Sequence, residues 1–505
     1  MRGDVLALGR QPRSSQPVRR GPGVRAILTG LPLTAGPPHT GCVSYMVGPG
    51  SRSRGRSVTK DSPEPEACSH VSSALPASRL DAFTVQGKRP HRAAAPQTPE
   101  EIGELLRTAQ HENLAVVPYG SGSLQDLGNP PERFDLALST TRLDRIPEYE
   151  PQDLVVRVES GCRLGRLQEL LAADRLCLPV DPPGYKRTTL GGMVATNASG
   201  PDRFGHGTLR DYLLGVGVVQ ADGSQTRFGS RVVKNVTGYD MCKLYTGSFG
   251  TLGVFSDFYF KLKPLPPAER TVVGLFRKLP PVRGALSKLL RSPLIPIAVE
   301  FLDGGASRRL DRKLDWNGKI AGYALAVKFG DLESAVNWQV KELNEIWGSC
   351  PDGDMQVSEP PEQARFWDCL REDHFCLAEP PLESVKLKMN ILPNQLVQWI
   401  EEIERHLSDT EVPYFLRAHA GSGVIRIFCH LDPSTPQAGR LAGLIERWRG
   451  LLNAVRGSVV IERGPADLKN RVDAWGYRYK DLKLMRQIKN RLDPREILNP
   501  GRFVV

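Results

Sequence analysis

The sequence has no closely spaced pair of cysteines and no long apolar run. Its nine cysteines are scattered, without a C-x-x-C pair or the spacing of an iron–sulfur ligand set. This pattern argues against structural disulfides, zinc and iron–sulfur clusters, and it favours free thiols in a reducing cytoplasm. No apolar run approaches the roughly 20 residues that a membrane-spanning helix requires. We therefore expect no transmembrane segment, and a protein that is soluble or only peripherally attached to a membrane.

Net positive charge is small outside the first 60 residues. The formal net charge is +11, but residues 1–60 hold ten basic residues against Asp4 alone, so the remainder is nearly neutral. A near-neutral folded part lacks the basic surface that non-specific nucleic-acid binding needs, so nucleic acid is not an expected partner. Residues 1–78, rich in Arg, Gly, Pro and Ser, are predicted to be a disordered basic tail. An organellar transit peptide and a start placed too early, with Met46 nearer the true one, are the alternatives.

The first folded region, residues 79–267, is predicted to be α+β. The segment Thr98-Pro99-Glu100-Glu101 supplies a helix cap, a first-turn proline and a capping-box carboxylate. Strands follow strands as often as they follow helices, and the turn Asp222-Gly223 predicts a hairpin. A proline-rich stretch at residues 263–267 ends the region.

The second region, residues 268–465, shows a different alternation of strands and helices. Its pattern predicts two similar sets, each of the β-α-β-β type. We expect a duplicated ferredoxin-like antiparallel sheet with its helices on one face. Residues 466–505 form a separate C-terminal segment with one helix and a turn-rich end.

Three glycine-rich clusters carry the candidate chemistry. In the first, Pro118-Tyr119-Gly120-Ser121-Gly122-Ser123, the glycines and hydroxyls let successive backbone N–H groups turn toward an anion. This loop lacks the third glycine and the acidic partner of a dinucleotide-binding Rossmann turn, so a nicotinamide site is not expected. Such a short loop, taken alone, is more often structural than functional.

The second and third clusters follow in order along the chain. Residues 188–200 have small side chains almost throughout, and Thr189 and Asn197 are suited to hydrogen-bonding a pyrophosphate or the edge of a flat ring. A packed small-residue turn explains that stretch equally well. Residues 234–244 run into a glycine run at 247–254 and then into an alternating, half-buried strand. Three ordered clusters of this kind are much harder to explain as turns alone.

In their order along the chain and in their residues, these segments resemble the FAD-binding fold of the vanillyl-alcohol oxidase/p-cresol methylhydroxylase (PCMH) type. Within that family they are most similar to the glycolate oxidase FAD-binding subunit, the E subunit. The resemblance spans roughly residues 95–267, with an echo in residues 488–502. It implies a two-part PCMH-type FAD-binding domain, a second α+β domain over the substrate, and a segment, 466–505, that returns to the FAD domain.

The resemblance also implies which residues bind FAD. No histidine for covalent attachment of the flavin lies between Pro118 and Asn129, so we expect non-covalent FAD. The implied contacts are glycines and small polar residues, where backbone must meet an anion or a flat ring. They are Pro118, Gly120, Ser121, Gly122 and Ser123 around the pyrophosphate, Thr189, Gly191, Gly192, Asn197 and Gly200 in the second wall, and Gly250, Gly253 and Val254 on the adenine side.

One departure from the family concerns a metal site. Relatives that oxidise D-2-hydroxy acids carry a glycine-flanked histidine segment with a second histidine and an aspartate that supports a metal. In the comparable segment, residues 417–426, Ser422 and Arg426 stand where the acid and the second histidine are expected. One histidine without partners makes a poor metal site. We therefore expect no metal, and a hydrogen-bonded His419 on a sheet.

No catalytic residue is assigned from the sequence. Without a metal, an arginine or a lysine can hold a substrate carboxylate, and Arg417, Arg426 and Lys386 are candidates, although each is equally an ordinary solvated charge. His206 is a candidate acid or base near the flavin, or else the cap of a turn.

The predicted function is that of a cytoplasmic FAD-binding subunit of an oxidoreductase that oxidises a small 2-hydroxy acid, such as glycolate. Since the chain has no iron–sulfur cluster motif, we expect electrons to pass to an iron–sulfur subunit. A homologous flavin subunit is the second expected partner. These partners are expected to attach the complex peripherally to the inner membrane. A non-catalytic FAD-binding or assembly subunit and a stand-alone flavin dehydrogenase for another substrate are the alternatives.

Overall fold

The computed structural model describes residues 73–232, 238–316, 318, 320, 322–348, 353–358, 362–372, 382–476 and 480–504, with the backbone alone for 353–358. All of them belong to one compact unit, Pro65–Val505. Of the predicted disordered tail, residues 1–78, positions 1–72 lie outside the described residues, as do the alternative start at Met46 and the motif residues 234–237. Residues 73–78 are described, and the backbone N–H of Leu75 donates to the oxygen of Ala93 at 2.8 Å. We call residues 73–264 the N-terminal half and residues 268–504 the C-terminal half.

The N-terminal half alternates short strands and helices. Its elements are β1 (Arg92–Ala94), α1 (Pro99–Glu112), β2 (Val116–Tyr119), β3 (Leu136–Ser139), β4 (Glu148–Glu150), β5 (Val155–Glu159), α2 (Leu164–Ala172), β6 (Leu176–Cys177), α3 (Leu190–Thr196), α4 (Arg203–His206), β7 (Leu213–Val219), β8 (Gln225–Gly229), α5 (Met241–Tyr245), β9 (Val254–Lys261) and β10 (Lys263–Pro264).

Helix α1 begins where the sequence predicts. The Thr98 side chain accepts a hydrogen bond from the backbone N–H of Glu101 at 3.3 Å, and Pro99 occupies the first turn. The apolar face of α1 is fully buried, because Ile102 and its neighbours one turn apart pack against the first sheet. The helix ends at Asn113, which adopts the left-handed conformation with φ 56°.

Two larger sheets, beside a two-stranded one formed by β6 and β10, organise the described N-terminal half. Strands β1, β3 and β2 form a parallel sheet in that order, while β4, β5, β9, β7 and β8 form an antiparallel one. The predicted hairpin joins β7 and β8 through Gly223, whose φ of +77° suits glycine. The α+β prediction is confirmed.

The C-terminal half has a second, larger set of elements. They are β11 (Ala268–Phe276), α6 (Leu279–Arg291), β12 (Ala298–Leu302), α7 (Gly304–Leu314), β13 (Tyr323–Asp331), α8 (Glu333–Gly348), β14 (Gly353–Ser358), α9 (Glu362–Glu372), β15 (Glu383–Asn390), α10 (Leu396–Ser408), β16 (Tyr414–His419), β17 (Val424–Leu431), α11 (Gln437–Asn453), β18 (Ser458–Arg463), α12 (Ala466–Arg471) and α13 (Leu482–Leu492).

Among the described residues, eight of these strands form one antiparallel sheet, in the order β14-β11-β13-β12-β16-β17-β15-β18. Each half of that order repeats the ferredoxin-like arrangement, with the fourth strand at the outer edge and the first strand beside it. The two repeats join edge to edge, where β12 pairs with β16 and Glu300 lies opposite His419. The predicted duplicated ferredoxin-like sheet is confirmed.

The faces of this sheet differ. Helices α6, α8, α10 and α11 cover one face and bury the main apolar core against it. The prediction that helices lie on one face only is wrong for the first repeat, because α7 and α9 pack Leu310 and Trp367 against the opposite face. In the second repeat α7 packs on that face at Phe415 and Phe428, and the neighbouring part of the face, on β15 and β17, carries the charged side chains Lys386, Lys388 and Arg426.

The C-terminal segment reaches back to the N-terminal half. In α13, Lys489 donates its Nζ hydrogens to the backbone oxygens of Thr251 at 2.9 Å and Leu498 at 3.0 Å. Asn499 donates its backbone N–H to the oxygen of Val116 at 2.8 Å, next to a parallel bridge. The domain boundaries 79–267, 268–465 and 466–505 stay predictions. Within the described chain, no helix combines the length and apolarity needed to cross a bilayer.

Candidate functional site

A cleft opens where β2 ends and its glycine loop begins. We call it the loop cleft. Its walls come from three distant parts of the chain, since the loop meets the start of α3, the segment before β9 and the C-terminal turn. It is lined by residues 118–125, Thr140, Ser160, Thr189, Gly191, Gly192, Ala195, Thr196, Phe249, Gly250, residues 253–255, Asn499 and Arg502.

The loop and α3 approach each other too closely for a side chain. Thr189 caps α3 by accepting a hydrogen bond from the N–H of Gly192 at 3.3 Å. A Cβ atom on Gly120 would lie 2.1 Å from the Thr189 hydroxyl oxygen, so only glycine fits there. Gly122 has a φ of +77° and faces the ring of Tyr119. These contacts hold backbone N–H groups of the loop beside the N-terminus of α3.

The other glycines of the cleft pack its walls together. A Cβ atom on Gly191 would lie 3.0 Å from the oxygen of Ser160, and one on Gly253 would lie 2.4 Å from Cγ1 of Val218. Gly250 adopts a φ of +66° against Pro118. Close packing of backbone thus explains part of the glycine pattern.

Several buried polar atoms of the cleft have no hydrogen-bond partner among the described residues. They are Oγ of Ser160, Oδ1 of Asn499, and Nε and Nη1 of Arg502. Buried polar groups are normally paired, because leaving one unpaired costs about 1–3 kcal/mol. Donors and acceptors of this kind, beside a glycine loop, fit the phosphates and ring edges of a dinucleotide such as FAD.

Arg502 supplies the positive charge of the cleft. Its Nη2 donates to the backbone oxygens of Gln125 at 3.0 Å and Leu127 at 2.9 Å, which fixes the guanidinium under the loop. Burial lowers the pKa of Arg502 to about 10, against the opposing effect of Asp126, so the group stays cationic at neutral pH. Sequence reasoning did not select Arg502, although it marked the C-terminal segment that contains it.

Most of the predicted cofactor residues meet in the loop cleft, and two do not. Asn197 ends α3 with a φ of 48° and lines a second cavity. Gly200 lines neither the loop cleft nor that second cavity. It packs against the backbone instead, where a Cβ atom on it would lie 1.9 Å from the oxygen of Asp181. The predicted residues in the loop cleft are Pro118, Gly120, Ser121, Gly122, Ser123, Thr189, Gly191, Gly192, Gly250, Gly253 and Val254.

The second cavity, which we call the charged cavity, lies between the two halves and encloses about 670 Å³. It shares Tyr119, residues 121–124 and Phe249 with the loop cleft, so the two spaces are continuous. Its far wall is the open face of the second repeat. That wall presents Lys386, Lys388, Arg426, Glu462 and Arg463.

The alternation of the strands places these charges on one face. In β15, Val385, Leu387 and Met389 enter the apolar core, so Lys386 and Lys388 stand on the opposite face. In β17 the same rule turns Arg426 away from the core. The sequence analysis selected Lys386 and Arg426 from this face but not Lys388.

The charges of this wall are partly compensated. Glu462 lies 3.4 Å from Nζ of Lys386 and 3.3 Å from Nε of Arg426. Burial lowers the pKa of Lys388, and the nearby cations Arg426 and Arg203 lower it further, against the opposing effect of Glu462. Over the whole described lining, six basic side chains (Arg163, Arg187, Lys386, Lys388, Arg426 and Arg463) stand against three acidic ones (Asp126, Glu372 and Glu462), so the cavity is electropositive and suits a small carboxylate.

The other sequence candidates lie elsewhere. Arg417 is buried, with Nη2 3.6 Å from Glu300, and does not line the charged cavity. His206 lines neither space, and burial lowers its pKa. Within the described residues there is no group of three or more His, Cys, Asp or Glu side chains that could hold a metal ion.

Two family descriptions match the chain. The FAD binding domain matches residues 90–229, and the C-terminal domain of FAD linked oxidases matches residues 265–503. Glycolate oxidase subunit GlcD of Bacillus subtilis (strain 168) is 24% identical over 84% of this chain and 91% of its own length. The mitochondrial D-2-hydroxyglutarate dehydrogenase of Rattus norvegicus is 26% identical over 80% of this chain and 76% of its own.

A solved structure shares the fold. p-Cresol methylhydroxylase with bound substrate superposes with a TM-score of 0.68 at 15% identity, covering 85% of this chain and 93% of that one. This likeness extends over both halves.

Proposed function

Because this chain belongs to the FAD-linked oxidases, with an FAD-binding domain followed by their C-terminal domain, we propose that it oxidises a small 2-hydroxy acid to the 2-oxo acid. The predicted family, the FAD cofactor and the oxidoreductase class are confirmed by the same matches. The substrate proposal depends on one observation, that an electropositive cavity adjoins the loop cleft.

The loop cleft is the proposed FAD site, with the flavin bound non-covalently. Gly120 and Gly122 let loop N–H groups face the pyrophosphate, and Arg502 supplies the counter-charge beneath it. Ser160 and Asn499 offer buried polar atoms to the rest of the cofactor. Bound FAD would supply the redox chemistry, taking up the two hydrogens and two electrons that the hydroxy acid loses on becoming the 2-oxo acid.

The charged cavity is the proposed substrate site. A 2-hydroxy acid carries a carboxylate next to the carbon that is oxidised, so a cation at that distance orients the reacting carbon. Lys386, Lys388 and Arg426 supply such cations on the wall that faces the N-terminal half. The named substrates of the relatives, glycolate and D-2-hydroxyglutarate, support an anionic hydroxy acid.

Electron transfer to a partner completes the proposal. The chain has no iron–sulfur ligand spacing, so an iron–sulfur subunit and a homologous flavin subunit are the proposed partners, in a cytoplasmic complex held peripherally at the inner membrane. The relative GlcD is itself called a subunit. A non-catalytic assembly subunit is the second candidate, because the ring of His419 is fully occupied by Glu300 and Arg426.

The test is flavin reduction by the purified chain. We expect flavin absorbance in the isolated protein, and bleaching when glycolate, D-lactate or D-2-hydroxyglutarate is added anaerobically. Bleaching only after partner subunits are added would exclude the stand-alone enzyme, and no bleaching under either condition would favour the assembly subunit. A folded protein without flavin would contradict the assignment of the FAD site.

A further inference from the structure

A chain of buried polar side chains crosses three strands beneath the charged cavity. His419 on β16 donates from Nδ1 to Glu300 on β12, and Arg426 on β17 donates from Nη1 to Nε2 of His419. The exposed fractions are 1% for Glu300, 2% for His419 and 5% for Arg426. Since a guanidinium can only donate, Nε2 of His419 must accept, and the ring proton must sit on Nδ1. Both ring nitrogens are therefore in use.

Two further contacts fix the Arg426 guanidinium. Its Nε lies 3.3 Å from Oε2 of Glu462, and its Nη2 donates to the backbone oxygen of Ser199 at 3.1 Å. Ser199 belongs to the N-terminal half, so Arg426 bridges the halves at the edge of the charged cavity. Among the described residues, these contacts use one N–H on each of the three nitrogens, which leaves one N–H on each of Nη1 and Nη2. A carboxylate is the ligand that such a pair of N–H groups matches.

A divalent metal, which the family resemblance implies near His419, does not fit these residues. Nε2 of His419 already accepts from Arg426, and Ser422 offers no carboxylate. A fixed guanidinium at this point repels a second cation and provides no lone pair to bind it.

We propose that the Arg426 guanidinium takes the place of a divalent metal in the charged cavity, that it binds the substrate carboxylate directly, and that the site works without such a metal. Glu300 and His419 are positioning residues, which hold the guanidinium through the imidazole ring. The inference rests on the proposed function only for the identity of the substrate. Its test uses measurements that do not require turnover.

The first measurement is the metal content of the flavin-loaded protein after incubation with Mn²⁺ or Zn²⁺ and desalting. We expect a substoichiometric amount of either metal. Retention of one metal ion per chain would overturn the proposal, whether or not the protein oxidises any hydroxy acid.

The second measurement is the binding of oxalate, a redox-inert analogue, followed through the flavin spectrum. Arg426→Met should raise the Kd of oxalate by about 10- to 100-fold, as expected for the loss of a charge-assisted pair, with flavin content unchanged. Arg447→Met on the exposed face of α11 is the matched control. An unchanged Kd in Arg426→Met would contradict the assignment.

The positioning role of His419 has its own test. A glutamine amide oxygen can still accept from Arg426, whereas a leucine side chain cannot. We therefore expect His419→Gln to keep most of the oxalate affinity and His419→Leu to lose about tenfold, a loss of one charge-assisted hydrogen bond. Equal effects of the two substitutions would show that the ring serves only packing.

Discussion

Replacing Gly120 by alanine should damage the loop cleft through a single contact. The added Cβ atom would meet the Thr189 hydroxyl oxygen at 2.1 Å and its Cβ atom at 3.2 Å, so either the loop or the helix cap must move. Loss of the Thr189 cap costs about 1 kcal/mol, and forcing an extra methyl into a packed contact costs about 1–3 kcal/mol. We expect the free energy of unfolding of the apoprotein to fall by about 2–4 kcal/mol.

The same displacement should weaken FAD binding. Backbone N–H groups that face an anion contribute about 1.5–3 kcal/mol each, so losing one should raise the Kd of FAD at least about tenfold. Flavin fluorescence titration of the apoprotein measures that Kd, and urea unfolding of the apoprotein measures the stability. Normal flavin affinity in a variant with normal stability would refute the packing argument.

A matched control lies in α11. Gly443 is an exposed helical glycine with nothing within 4 Å of the position its Cβ would take. Gly443→Ala makes the same chemical change and should stabilise the protein by about 0.5–1 kcal/mol without altering the Kd of FAD. A lower free energy of unfolding for Gly120→Ala together with a higher one for Gly443→Ala would identify the Thr189 contact as the cause.

Three further predictions concern charges. Arg502→Leu should raise the Kd of FAD by about tenfold or more, measured by the same titration, because it removes the buried cation beneath the loop; an unchanged Kd would contradict its role as counter-charge. Burial and the neighbouring Asp202 carboxylate raise the pKa of Asp181 to about 7, so the folded state binds more protons than the unfolded state between about pH 4 and 7. Stability should therefore fall as pH rises through that window, by up to about 4 kcal/mol, and Asp181→Asn should flatten this part of the urea-midpoint profile; an unchanged slope would refute it. Lys388→Met should raise the KM for the hydroxy acid by about tenfold with flavin content unchanged, whereas Lys341→Met, 78% exposed on α8, should leave both unchanged.

Local patterns predicted the elements whose causes are local. The cap at Thr98 and the hairpin turn at Asp222-Gly223 depend on residues a few positions apart, and both were found in the structure. The edge strands β14 and β18 were missed, because a short edge strand is defined by the partner that it pairs with. Helix α7 was missed because two glycines open it, although the Asp303 side chain caps it by accepting from the N–H of Ala306 at 2.7 Å.

The residues of the candidate site also divide into those that a local pattern predicts and those that it does not. The glycines of the loop cleft were selected because backbone conformation and close approach leave a mark on the sequence itself. Arg502 and Asn499 were not, since they reach the loop from more than 370 residues away, as the contact between Arg502 and Gln125 illustrates. A contact over that distance has no local periodicity, so only the folded chain reveals it.

The second repeat carries the proposed substrate wall on a sheet face that is separate from the proposed flavin site. One face of β15 and β17 packs in the apolar core under α10 and α11. The opposite face carries charged side chains and faces the N-terminal half across the cavity. The contacts that hold the halves together there include Arg463 to Asp126 at 2.6 Å, Lys469 to the oxygen of Gly128 at 2.9 Å and Arg426 to the oxygen of Ser199 at 3.1 Å, and none of these three involves Lys388. In the proposed function, cofactor binding depends on loop backbone and the C-terminal turn, whereas recognition of the acid depends on alternate side chains of two strands. Substitutions on that strand face should change which anion binds while leaving flavin content intact, which is the separation that the Lys388 and Arg426 variants measure.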